Sequence, residues 1–129
     1  MDSAFPLGVD ILEWKKVSAF YGRHRDKLGT LLNPNELAYV KTSAEPQEAF
    51  ALLLSAKEAV FKALGEPFMG ISGFRDIQLF PRKEFSFRLK GRLKKNPLAR
   101  PSLKVSFKKT RHHVVATCHH RSWTPCVGI

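Results

Sequence analysis

Residues 46–65 read Pro46-Gln47-Glu48-Ala49-Phe50-Ala51-Leu52-Leu53-Leu54-Ser55-Ala56-Lys57-Glu58-Ala59-Val60-Phe61-Lys62-Ala63-Leu64-Gly65. A proline opens this stretch and a glycine follows its last apolar residue, which predicts one long helix from Pro46 to Leu64 with Gly65 as its C-cap. At 100° per residue, Phe50, Leu53, Leu54, Val60, Phe61 and Leu64 form one apolar arc. Lys57 falls in the middle of that arc and Glu58 at its edge. Lys62 lies four residues beyond Glu58 and shares its face. Burying an unpaired ammonium costs roughly several kcal/mol. Lys57 therefore needs a carboxylate or phosphate partner, or a stem that carries its charge out of the core. Glu58 and Lys62 make either an exposed ion pair or part of a site.

On the N-terminal side, Phe5 to Leu12 is short and apolar, with Pro6 where a strand tolerates it, so a strand is expected. Asp10 interrupts that run. From Glu13 to about Lys27 the spacing of Trp14, Val17 and Phe20 or Tyr21 turns helical. Asn33-Pro34-Asn35-Glu36 is a helix start with capping-box spacing, and that helix runs to about Lys41. Beyond Gly65 a loop reaches Gly73. Alternation at Ile77 and Leu79, at Phe85, Phe87 and Leu89, and at Leu103, Val105 and Phe107 then predicts strands. A basic linker, Gly91 to Pro101, separates the last two, and His113 to Cys118 closes the series. The class is α+β: an antiparallel meander packed with a long helix and shorter helices. Residues 1–121 form one domain and 122–129 a C-terminal tail.

The chain has 129 residues, enough for one sizeable core, and 43% apolar and 26% charged residues, a globular composition. Nothing approaches a membrane-spanning apolar run, and Met1 to Val9 lacks the basic start of a secretory signal. Two cysteines build no disulfide framework, so a reducing, cytoplasmic setting is expected. Twenty-two Lys and Arg against eleven Asp and Glu give a net charge of +11, which calls for an anionic partner: nucleic acid, an acidic membrane surface, an acidic protein or a phosphorylated small molecule.

Asp10 and Glu58 are a candidate pair of hard oxygen ligands. Two carboxylates suit Mg2+, which fills its remaining positions with water or substrate phosphates. Lys57 and Lys62 beside them would neutralise phosphate oxygens, completing the parts needed for phosphoryl transfer.

These residues resemble a known family. Gly8-Val9-Asp10-Ile11-Leu12-Glu13 resembles the N-terminal strand motif of the 4′-phosphopantetheinyl transferases. Ser55-Ala56-Lys57-Glu58-Ala59-Val60-Phe61-Lys62-Ala63-Leu64-Gly65 resembles their second signature, a Lys-Glu-Ala with a further lysine four positions after the glutamate. Length and element order are similar to the small holo-[acyl-carrier-protein] synthase type. The resemblance implies that fold and a Mg2+-dependent transfer of 4′-phosphopantetheine from coenzyme A to a serine of an acyl carrier protein, leaving 3′,5′-ADP. It puts Asp10 and Glu58 on the metal, and Glu58 and Lys62 in catalysis. It puts Lys57, Lys62, Gly65, Lys109 and Thr110 on coenzyme A, and Lys16, Arg23, Arg25 and Lys27 on the carrier protein. It also implies a homotrimer with active sites between subunits.

A second class stays open: a non-catalytic basic module that binds a carrier protein or nucleic acid, suggested by the Lys and Arg content of Gly91 to Lys109. Nucleic acid is the lesser expectation, because the phenylalanines sit at core spacings rather than on a stacking platform. A membrane role is not expected, for want of a helix with both a wide apolar and a strongly basic face. The late histidines, His112, His113, His119 and His120, come in adjacent pairs whose members point to opposite faces of a strand, so they lack a third zinc ligand.

Overall fold

The computed structural model describes residues 7–65, 74–81, 86–99 and 103–120. Strand β1, Gly8–Glu13, passes directly into helix α1, Trp14–His24, and a 3-10 segment, Arg25–Thr30. Helices α2, Pro34–Thr42, and α3, Pro46–Leu64, follow. A hairpin of β2, Ile77–Phe80, and β3, Ser86–Leu89, leads to a second 3-10 segment, Gly91–Lys95. Strands β4, Leu103–Lys109, and β5, His113–His120, complete the chain of elements. The opening residues 1–6, the loop 66–73, Phe85 and the tail 122–129 lie outside the described residues.

The long helix has the predicted bounds. Pro46 opens it, and Gly65 closes it at φ 65°, in the left-handed region a glycine enters freely. Phe50, Leu53, Val60, Phe61 and Leu64 are all buried. They meet Val114, Ala116 and Cys118 of β5 and Val105 of β4 in one core. The capping box of α2 also forms: the Asn33 N–H donates to Glu36 Oε1 at 2.7 Å.

Two expectations fail locally. The first helix ends at His24 instead of Lys27, because no apolar side chain occurs between Tyr21 and Leu28 to bury a continuing face. Leu28 anchors the tighter 3-10 segment, its carbonyl accepting from the N–H groups of Leu31 and Leu32. The late strands do not form one meander. Among the described residues they split into a β2–β3 hairpin and an antiparallel sheet of order β1-β5-β4. Part of the expected basic linker causes the break. Gly91 reverses the chain at φ 57°, Leu93 is buried, and Asn96 Nδ2 donates to the Leu64 carbonyl at 3.0 Å. This folds the segment over the end of α3, and β4 pairs with β5 instead of β3.

Strand β1 inverts the usual alternation. Gly8 and Asp10 face the core, whereas Val9 is 41% and Ile11 60% exposed. The inversion begins at Gly8. A Cβ there would stand 2.0 Å from the Ala59 carbonyl oxygen and 2.3 Å from the Ala63 nitrogen. The bare backbone of β1 thus lies directly on α3, a contact that only glycine permits. Two residues on, Asp10 faces the same helix, where Lys62 meets it.

Candidate active site

Asp10 is buried, and its Oδ1 accepts from Lys62 Nζ at 3.1 Å. Its Oδ2 is also buried and has no hydrogen-bond partner. Glu58, half-buried on α3, completes the group. Desolvation pushes its carboxyl above the usual range, the charge of Asp10 pushes it further, and Lys62 pulls it back. Two crowded carboxylates and one ammonium therefore share a small volume, and one acceptor in it is unsatisfied. A hard divalent cation fits that donor set: a buried orphan carboxylate oxygen, a second carboxylate that resists holding its charge alone, and no soft ligand. Among the described residues, no group of three or more His, Cys, Asp or Glu side chains could hold a metal. The protein would supply two ligands and leave the rest to water and substrate oxygens.

The pair opens into a cavity of about 600 Å³. Leu12 lies on the β1 side, Phe20, His24, Lys27, Thr30 and Leu31 on the α1 side, and Leu54 and Phe74 complete the wall. Phe20 meets His24 at a tilt, 4.6 Å between ring centroids, and stacks on Phe50 at 5.9 Å. The site thus has a carboxylate end built by β1 and α3 and a mostly apolar chamber on the α1 side, in which His24, Lys27 and Thr30 are the polar members.

Lys57 is placed elsewhere. It is 1% exposed, and its ammonium pairs with Glu36 Oε1 at 2.9 Å. It also donates to the Phe74 carbonyl at 2.7 Å and the Leu31 carbonyl at 3.3 Å. Of the options its position in the apolar arc allowed, the carboxylate partner is realised, by Glu36. Desolvation lowers its pKa and Glu36 holds it up. Removing one member of such a buried pair costs about 3–5 kcal/mol. Glu36 is saturated in turn, since its Oε2 accepts from the Leu79 N–H at 2.7 Å.

The residues expected on coenzyme A are not gathered in one chain. Lys62, with its side chain 52% exposed, and Gly65 stand at the C-terminal end of α3. Lys109 instead pairs with Glu48 Oε1 at 2.6 Å, in the first turn of that helix. Ten residues of helix separate Glu48 from Glu58, an axial distance of about 15 Å. Thr110 stays at that end too, its carbonyl accepting from Trp14 Nε1 at 2.9 Å. Lys16, Arg23, Arg25 and Lys27 are all exposed along α1 and the 3-10 segment after it. Lys16 is held by Glu13 at 3.4 Å, and Lys27 reaches the cavity wall.

Sequence reasoning missed Glu36 as the partner of Lys57 and His24 and Thr30 as cavity residues. For Glu36 the only signal was the demand of Lys57 for a carboxylate. For His24 it was the four-residue step from Phe20.

A model of the 4′-phosphopantetheinyl transferase superfamily matches residues 6–118. A holo-[acyl-carrier-protein] synthase of Clostridium kluyveri is 35% identical over 75 residues, covering 58% of this chain and 55% of that protein. The chain thus matches little more than half the length of that relative. One of Hamiltonella defensa is 33% identical over 115 residues, covering 85% of this chain and 91% of its own. The crystal structure of the Neisseria meningitidis synthase superposes with a TM-score of 0.73 at 24% identity, over 89% of this chain and 96% of that one. The Helicobacter pylori synthase, solved in complex with coenzyme A, gives 0.72 at 22%, over 88% and 98%. The match runs from the strand that carries Asp10, through the helix that carries Glu58 and Lys62, into β5, the central strand of the three-stranded sheet, and the chain belongs to the 4′-phosphopantetheinyl transferase superfamily.

Proposed function

We propose that this chain moves 4′-phosphopantetheine from coenzyme A to a serine of an acyl carrier protein in the cytoplasm, leaving 3′,5′-ADP, with Mg2+ held by Asp10 and Glu58. The observation that carries this reading is that Asp10, with its unsatisfied buried oxygen and its Lys62 partner, and Glu58 together line one cavity. When bound, the cation supplies positive charge against the diphosphate of coenzyme A.

The attacking serine hydroxyl must lose its proton as its oxygen bonds to the β-phosphorus and the bond to the 3′,5′-ADP oxygen breaks. Glu58 takes that proton as the general base. Lys62 donates once to Asp10, which leaves two N–H groups of its ammonium for the charge developing on the leaving diphosphate. The exposed cations of α1 and the following segment, Lys16, Arg23, Arg25 and Lys27, face an acidic carrier, and the net +11 speeds the encounter.

Lys109 and Thr110 belong to the coenzyme A site only if another copy brings them to Lys62 and Gly65, which supports a homotrimer. The exposed apolar stripe of β1 and the residue before it supports it as well: Leu7 is 52%, Val9 41% and Ile11 60% exposed. Ile11→Glu is expected to turn the assembly into folded monomers by light scattering and to abolish transfer. A monomeric wild type would remove the second copy from the site.

The test of the function is incubation with coenzyme A, Mg2+ and apo carrier proteins, reading the carrier's mass. Addition of phosphopantetheine to at least one carrier is expected. No addition to any, together with tight, steeply salt-dependent nucleic-acid binding, would favour the non-catalytic basic module instead.

A further inference from the structure

Leu31 and Phe74 come from segments 43 residues apart, yet they form neighbouring parts of the cavity wall. Their carbonyls share one donor, the Lys57 ammonium, at 3.3 and 2.7 Å. Asn33 Nδ2 adds a longer link to the Arg75 carbonyl at 3.5 Å. Glu36 neutralises Lys57 and is tied to the Asn33 and Leu79 N–H groups. Both charges are fully buried. A core needs no ion pair here for stability, because apolar residues of similar volume often serve as well. What apolar residues cannot supply is a donor for two carbonyls that converge from different segments.

We propose that Lys57 is a positioning residue for the transfer reaction: by holding the Leu31 and Phe74 carbonyls it fixes the cavity wall beside Glu58, and it does not touch the substrate. This rests on the transfer reading for its kinetic consequence but not for its structural one. Lys57 shares α3 with its neighbour Glu58, so one rigid helix carries both the reacting carboxylate and the anchor of the wall opposite.

Two double variants of the full chain separate the roles. E36Q/K57M removes both charges and the donor at position 57 while keeping an acceptor at position 36 for the Asn33 and Leu79 N–H groups, whereas E36Q/K57Q removes both charges and keeps N–H groups at position 57. Two readouts apply: transfer kinetics with coenzyme A and apo carrier, and the NMR shifts of the Leu31 and Leu54 methyls. E36Q/K57M is expected to melt cooperatively, average its Leu31 methyl shifts and lose at least ~10-fold in kcat, with KM for coenzyme A within about 3-fold. E36Q/K57Q is expected to keep the wild-type shifts and a kcat within about 3-fold. Wild-type shifts and kcat in E36Q/K57M would overturn the proposal, because the wall would then need no donor. Equal loss in both variants with a rising KM would also overturn it, because the charge of Lys57 would then be acting on phosphate. Should E36Q/K57M not fold, E36Q/K57Q decides alone, retention upholding the proposal and loss overturning it. If wild-type protein transfers nothing, the function falls and the methyl shifts judge the wall by the same criteria.

Discussion

Asp10→Asn and Glu58→Gln are each expected to lower phosphopantetheine transfer by about 10³-fold, the upper range for deleting one preorganised electrostatic group. Both substitutions keep shape and remove charge, so the folded structure survives and the loss is chemical. Asp10→Asn puts an amide in place of the buried oxygen that lacks a partner, and it deprives Lys62 of its anion. On the proposed mechanism, Glu58→Gln removes both a cation ligand and the base. The two should nevertheless part in stability. In chelator, the native state binds a proton at Glu58 more tightly than the unfolded chain does, because burial and Asp10 raise that carboxyl. Its contribution to stability is present below the unfolded pKa and is lost as pH rises through the higher folded value. Glu58→Gln should therefore melt above wild type at pH 8, and the difference should vanish at pH 4. Asp10→Asn also relieves Glu58, but it strips the ammonium partner, so it gains less. Mass spectrometry of the carrier and paired melts at the two pH values check both claims. Activity retained in either variant would refute its assignment, and a Glu58→Gln protein less stable than wild type at pH 8 would refute the crowding of charge.

The long helix and its odd residues were legible because each broke a strong rule. A lysine inside an apolar arc must be paired, and a carboxylate inside an apolar strand must face something. Neither rule says which partner is met. Lys57 had a carboxylate and a phosphate open to it, and the choice fell to Glu36, twenty-one residues earlier, whose capping-box position is a local feature with no reference to α3. The Glu58–Lys62 face was read correctly as shared, yet the ion pair within 4 Å is Lys62–Asp10, because β1 lies close enough to compete. The split of the sheet was hidden for a similar reason. Alternation marks a strand but not its neighbour, and what separates β3 from β4 is a single buried leucine and an asparagine side chain bonded to the end of α3. Lys109 and Thr110 are the sharpest case. Their place at the opposite end of α3 from Lys62 follows from sheet register, which no single strand encodes.

Gly8→Ala should be the most damaging of the glycine-to-alanine changes among the described residues. The new Cβ would meet Ala59 O at 2.0 Å, Ala63 N at 2.3 Å and Ala63 Cα at 3.0 Å. All three are helix backbone atoms, so no rotamer can move aside. Strand or helix must shift by on the order of 1 Å, at the top of the 1–3 kcal/mol range for overpacking or beyond it, which lowers Tm by on the order of 10 °C. The shift falls where it does most harm to chemistry. β1 carries Asp10 two residues further on, and the alignment of Asp10 with Glu58 and Lys62 depends on that close approach. Misplacing a catalytic group by about 1 Å costs about 10²-fold, so transfer should fall even at temperatures where the variant is fully folded. Because the obstacles are main-chain atoms, adding Ala59→Gly or Ala63→Gly to the variant removes nothing that the new methyl strikes. Neither double variant should recover activity, as transfer assays at 10–15 °C below each melting point would establish. Recovery in either one would mean that side chains rather than backbone set the distance between β1 and α3, and the geometric basis for pairing Asp10 with Glu58 would go with it.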